Sequence, residues 1–189
     1  GVDCDIELIG LMQDTLQAAG IGEIYIVLGH VGIFRTLVQE AKLGSRIERE
    51  LFQAVQRKAY DEIDQILSTN VDDKKMCDML RRLTWLSGDE SVLSEARELF
   101  DTAPESVKQE LEELVAISTG VKLRNPGIQL NYDLCELRGY EYHTGIVFAA
   151  YTPGYGRAVA KGGRYDDIGE AFGRARPASG FDTDLKVLA

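Results

Sequence analysis

"IQLNYDLCELRGYEYHTGIVFAAY", Ile128 to Tyr151, is the stretch on which the fold turns. In its first half Ile128, Leu130, Tyr132 and Leu134 alternate with polar residues, the period of a strand with one buried face. Its second half, "GIVFAAY", is a continuous β-branched and aromatic run, the composition of a strand buried on both faces. Downstream, "TPGYG" is a Pro- and Gly-rich turn, "RAVAKGG" and "ASGFDTD" read as two further strands, and "YDDIGEAFG" reads as a short helix. Consecutive strands joined by short connections predict an antiparallel sheet.

Upstream the period changes. In "IELIGLMQDTLQAAGI" the residues Ile6, Ile9, Met12 or Gln13, and Leu16 recur at helical spacing, and Gly20 stands where a left-handed cap belongs. "EIYIVLGH" is a short apolar strand, and "GIFRTLVQEAKLG" places Ile33, Leu37, Val38 and Ala41 on one helix face. From Ser45 the pattern is amphipathic and helical, opening on a possible capping box, "SRIE", and punctuated by Gly88, Pro104 and Gly120. The expected fold is α+β: an antiparallel sheet with flanking helices from residues 1–42 and 125–189, plus an all-α insertion subdomain over residues 43–124. The chain opens almost inside a helical pattern with no initiator methionine, as a piece of a longer protein would.

The composition narrows the functional classes. Of 189 residues 44% are hydrophobic, enough for a real core, and the formal net charge is -10. Residues 1–127 carry 23 acidic and 14 basic side chains, and residues 128–189 carry 8 and 7. An acidic surface repels phosphate backbones, so no nucleic acid is expected as a partner. No apolar run reaches the roughly 20 residues that span a bilayer, and "GVDCDIELIG" is acidic where a signal peptide is basic, so a cytoplasmic protein is expected. Cys4, Cys77 and Cys135 are far apart, in no C-x-x-C pairing, and read as buried thiols rather than disulfide or zinc ligands. The acids at Asp3, Asp5 and Glu7 read as first-turn charge favoured by the helix dipole, and His30 as a capping residue past a strand end.

The polar cluster at 138–143 is the candidate site. In an unbroken strand Glu141 and His143 face one side, and Arg138, Tyr140 and Tyr142 the other. A bulge at Gly139 brings Arg138 round to join Glu141 and His143. A guanidinium, a carboxylate and an imidazole rimmed by tyrosines would hold a small molecule of both charge signs, such as an amino acid. The same residues also read as an exposed ion pair, a satisfied strand histidine and ordinary strand tyrosines. Gly162 and Gly163 permit either close backbone approach to a ligand or a bend before a helix. No phosphate-loop, dinucleotide or Ser/His/Asp pattern is present, and no metal or cofactor is expected.

"LRGYEYHTGIVFAAY" followed by "AKGGRYDDIGEAFGRARPASGFDTDL" resembles histidyl-tRNA synthetases. It matches the histidine-specific R-G-[L]-[DE]-Y-[YH]-T-G segment, the G-G-R-Y-D segment and the third class II motif, and the upstream helix and strand fit the same fold. The resemblance implies that Arg138 contacts bound histidine and the reacting phosphate, and that Tyr142 and Tyr165 shape an imidazole pocket. The third motif departs from the synthetase pattern G-x-E-R: Asp184 stands at the glycine, Lys186 at the glutamate and Val187 at the ATP-clamping arginine, and His143 stands where tyrosine is usual. These departures point to the paralogous family that has lost aminoacylation, the non-catalytic regulatory subunits of ATP phosphoribosyltransferase in histidine biosynthesis. The partners it implies are L-histidine and the short-form catalytic subunit in a hetero-oligomer, without tRNA. The alternatives are a fragment of a histidyl-tRNA synthetase catalytic domain and a plain helical interaction module.

Overall fold

A computed structural model describes residues 1–167, 173 and 176–184. The chain opens with helix α1 (Val2–Ala18), strand β1 (Tyr25–His30) and helix α2 (Val31–Glu40). Ile6, Ile9, Met12 and Leu16 are the buried stripe of α1, as their spacing requires, and Gly20 beyond its end takes φ +91°. Five helices follow: α3 (Ser45–Gln56), α4 (Tyr60–Asn70), α5 (Lys74–Leu83), α6 (Ser91–Leu99) and α7 (Glu105–Arg124), with a two-residue strand β2 (Ser87–Gly88) between α5 and α6. Strands β3 (Gln129–Asp133), β4 (Ile146–Tyr151), β5 (Ala160–Tyr165) and β6 (Ala178–Thr183) complete the described elements.

The six strands form one sheet in the order β2-β3-β1-β4-β5-β6. β4, β5 and β6 pair in succession as the expected antiparallel strands. β3 does not pair with β4. β1 lies between them, antiparallel to β4 with His30 opposite Ile146, and parallel to β3 with Leu28 opposite Tyr132. The sheet is therefore mixed, because the long helical excursion between β1 and β3 allows a same-direction return that no tight turn permits. The short helix expected at 165–173 falls mainly on residues outside those described.

Register assigns the two faces. Leu28, Phe148, Gly162 and Phe181 point to one side, which α1, α2 and α7 cover. Val27, Ala149, Lys161 and Asp182 point to the other. The expected insertion 43–124 is not a separate layer at its C-terminal end, since α7 packs on α1, α2 and β1. Gly120, read as punctuation, lies inside α7, where a Cβ would stand 2.2 Å from the Ile6 side chain; it lets two helices approach closely. One apolar cluster runs from Ile6 and Phe34 through Leu51, Leu80 and Phe100 to Tyr132 and Phe148.

Two local expectations change. "SRIE" makes no capping box: Gly44 is the N-cap of α3, and Glu48 instead accepts a hydrogen bond from the Tyr140 hydroxyl at 3.1 Å. Of the three free cysteines only Cys77 is buried; Cys4 is exposed on α1 and Cys135 is half-buried. Among the described residues no helix is long and apolar enough to cross a membrane.

Candidate functional site

The segment 137–143 leads into β4 as a tight turn rather than a bulged strand. Gly139 has φ +70°, and the N–H groups of Tyr142 and His143 both donate to the Gly139 carbonyl, at 3.0 and 2.8 Å. Irregular backbone at Gly139 was expected and is found; the strand expected on either side of it is absent, its place taken by the turn. The single-face grouping of Arg138, Glu141 and His143 fails for that reason. Glu141 is exposed and faces a separate depression with Arg35 and Asp167, while Arg138 turns to the far side of the Tyr142–His143 pair.

Helices α2 and α3 hold this turn. Arg35 donates from Nη2 to the carbonyl oxygens of Tyr140 (2.5 Å) and His143 (2.9 Å), and its guanidinium lies 4.7 Å from the Tyr140 ring centroid. The Tyr140 ring stacks on Phe52 and meets Phe34 edge-on. Burial, with the Glu48 carboxylate beside it, pushes the Tyr140 hydroxyl up to about 12. Arg35 went unremarked in the sequence because it lies 105 positions from Tyr140, on the helix face opposite the apolar stripe.

His143 is wedged between two glycines. A Cβ on Gly163 would stand 2.7 Å from His143 Cε1 and Nδ1, and one on Gly139 would stand 2.4 Å from its Cδ2. The imidazole thus needs a hydrogen atom on each side. Burial lowers its pKa, and its Nδ1 has no hydrogen-bond partner among the described residues. Tyr142 and Tyr165 lie to either side, with ring centroids 4.5 and 5.8 Å away. Neither glycine of the pair 162–163 makes a bend: both lie in β5, where Gly162 leaves room for the Phe148 ring and Gly163 for His143.

Beside this aromatic group lies a cavity of about 170 Å³, floored by β4 and β5 and walled by Arg138, Glu136, Tyr142, His143, Tyr165 and Asp182. Arg138 donates to Glu136 Oε2 at 3.3 Å and to the Tyr151 hydroxyl at 3.0 Å. Burial works against its charge, but those two partners outweigh it and hold its pKa above the ordinary value. The carboxylate that accompanies Arg138 is therefore Glu136, not Glu141. The cavity offers two cations, Arg138 and Lys161, two carboxylates and the rings of Tyr142, His143 and Tyr165, the complement of a ring-bearing amino acid. Glu136 and Asp182 were missed: one sits two residues before the motif, and the other comes from β6, opposite Lys161.

The family profile of histidyl-tRNA synthetases matches residues 1–188, and the chain belongs to that family. Within it, the curated relatives it matches at high identity are ATP phosphoribosyltransferase regulatory subunits. That of Chromohalobacter salexigens is 51% identical over 189 residues, which are all of this chain and 48% of the relative. The chain thus spans about half the length of the curated relatives it matches. Among solved structures, an ATP phosphoribosyltransferase regulatory subunit/histidyl-tRNA synthetase from Bacillus halodurans C superposes with TM-score 0.88 at 26% identity, covering all of this chain and 49% of that one. A chain of the ATP phosphoribosyl transferase (HisG:HisZ) complex from Thermotoga maritima shares the fold, with TM-score 0.66 at 20% identity over 87% of this chain and 57% of that one.

Proposed function

We propose that the full-length protein is a regulatory subunit of ATP phosphoribosyltransferase, acting in the cytoplasm in histidine biosynthesis, and that the cavity beside His143 is its histidine-sensing pocket. The observation that carries this is the pairing of a charged Arg138 with three rings in one cavity, on a motif of the synthetase type. The histidine carboxylate would meet Arg138, the ammonium Glu136 or Asp182, and the imidazole the Tyr142, His143 and Tyr165 group. Gly139 and Gly163 contribute by placing the His143 ring, and Gly162 by leaving room for the Phe148 ring in the cavity floor.

The partner in this reading is the short-form catalytic subunit, in a hetero-oligomer like the one named for the Thermotoga maritima relative. The protein would not activate histidine or bind tRNA. Asp184, Lys186 and Val187 replace the third-motif glycine, glutamate and arginine, and an apolar chain beside a new carboxylate opposes a triphosphate.

Calorimetry with the full-length protein tests the pocket. Arg138→Ala removes one charge-assisted contact, about 1.5–3 kcal/mol, or roughly ten- to hundredfold in Kd. The Arg138 side chain is 42% exposed, which favours the lower figure. Unchanged histidine affinity in that variant moves the site elsewhere.

A further inference from the structure

Arg138 projects from a turn on a long side chain that is 42% exposed, and what aims its guanidinium at the cavity decides how it can meet a ligand. Nη2 donates both of the side chain's hydrogen bonds among the described residues, to Glu136 Oε2 at 3.3 Å and to the Tyr151 hydroxyl oxygen at 3.0 Å. The two acceptors are not equivalent. Glu136 stands two residues before Arg138, and its other carboxylate oxygen accepts from the Arg138 backbone N–H at 3.0 Å, so its bonds travel with the turn. Tyr151 is the last residue of β4, and its bond ties the guanidinium to the sheet that floors the cavity.

Tyr151 is itself anchored. It lies opposite Tyr25 of β1, and the two rings stack with centroids 5.5 Å apart and an interplanar angle of 15°. Strand alternation puts both on the face that carries Val27 and Ala149, and Ala149 belongs to the cavity floor. Tyr151 does not line that cavity. It lines a neighbouring one of about 470 Å³ that shares Arg138, Lys161 and Asp182 with the first, so its hydroxyl acts on the first through Arg138.

The chemistry of the acceptor matters as much as its place. A phenol oxygen is neutral, so it orients a guanidinium without cancelling its charge, whereas a second carboxylate there would compete with a ligand's own. We propose that Tyr151, braced by Tyr25, is a positioning residue that sets the pocket's selectivity for a carboxylate by aiming Arg138, an inference that rests on the histidine-sensing reading.

The test is calorimetry on the full-length protein with L-histidine and with histamine, which keeps the ring and the ammonium and lacks the carboxylate. Tyr151→Phe removes the hydroxyl and keeps a ring against Tyr25. It is expected to raise the Kd for histidine about threefold to tenfold and to leave that for histamine unchanged. In an Arg138→Ala background the same substitution is expected to change nothing further. If Arg138→Ala weakens histidine binding and Tyr151→Phe does not, the inference is overturned and the pocket is spared. Equal losses for histidine and histamine, or the same loss with and without Arg138, also overturn it, since the hydroxyl then serves the fold in general. Wild-type histidine affinity in Arg138→Ala overturns the pocket and the inference together.

Discussion

Gly163→Ala probes the wedge that positions His143. The added methyl would sit 2.7 Å from the imidazole and 2.8 Å from the Ile146 carbonyl oxygen, well inside van der Waals contact. The ring has no room to retreat, because the Gly139 backbone is against its opposite edge. Overpacking of this kind costs about 1–3 kcal/mol. The clash has two parts, one with a removable ring and one with fixed backbone. A double-mutant cycle separates them: His143→Ala in the Gly163→Ala background should recover most of the loss, giving a coupling of about 1–2 kcal/mol. Urea unfolding at fixed pH measures all four proteins, with an unchanged m-value confirming that only stability has moved. Additive losses, with no coupling between the two positions, would refute the wedge.

Arg35→Ala should loosen the 138–143 turn by removing two charged-donor hydrogen bonds, about 1.5–3 kcal/mol, and should weaken histidine binding although Arg35 is outside the Arg138 cavity; calorimetry and thermal unfolding read both. Burial, with the charges of Arg164 and Arg35, lowers the His30 pKa to about 4, below the unfolded value of 6.5, so the unfolded chain binds the extra proton between those pH values. The stability present above pH 6.5 is therefore lost as pH falls toward 4, by about 3 kcal/mol, and a His30→Gln variant should show a flatter profile over that window. Full-length protein should catalyse no histidine-dependent ATP–pyrophosphate exchange; robust exchange would return it to the synthetases.

Much of this architecture was legible locally. Alternation at Ile128 to Leu134, the apolar run of β4 and the glycine-marked turns each state their own element, and the quoted motifs carry Arg138, Tyr142, His143 and Tyr165 to one neighbourhood. What was not legible depends on distance along the chain. Nothing in residues 25–30 announces that β1 will separate β3 from β4, since parallel pairing leaves no turn signature. Arg35 meets Tyr140 across the helical excursion, and Asp182 reaches the cavity through strand register. Glu141 was misplaced because strand alternation was assumed on both sides of a bulge at Gly139, whereas the positive φ there belongs to a turn. His30 was read as a cap from its position; that both its nitrogens are buried without partners among the described residues is a property of packing alone.

The most direct measurement is the phosphoribosyltransferase activity of a short-form catalytic subunit, assayed alone, with the full-length protein, and with both plus histidine. The expected result is strong activation on addition of the protein and repression of that activation by histidine, the repression weakened by Arg138→Ala. A catalytic subunit equally active with and without the protein, at any histidine concentration, would contradict the regulatory assignment.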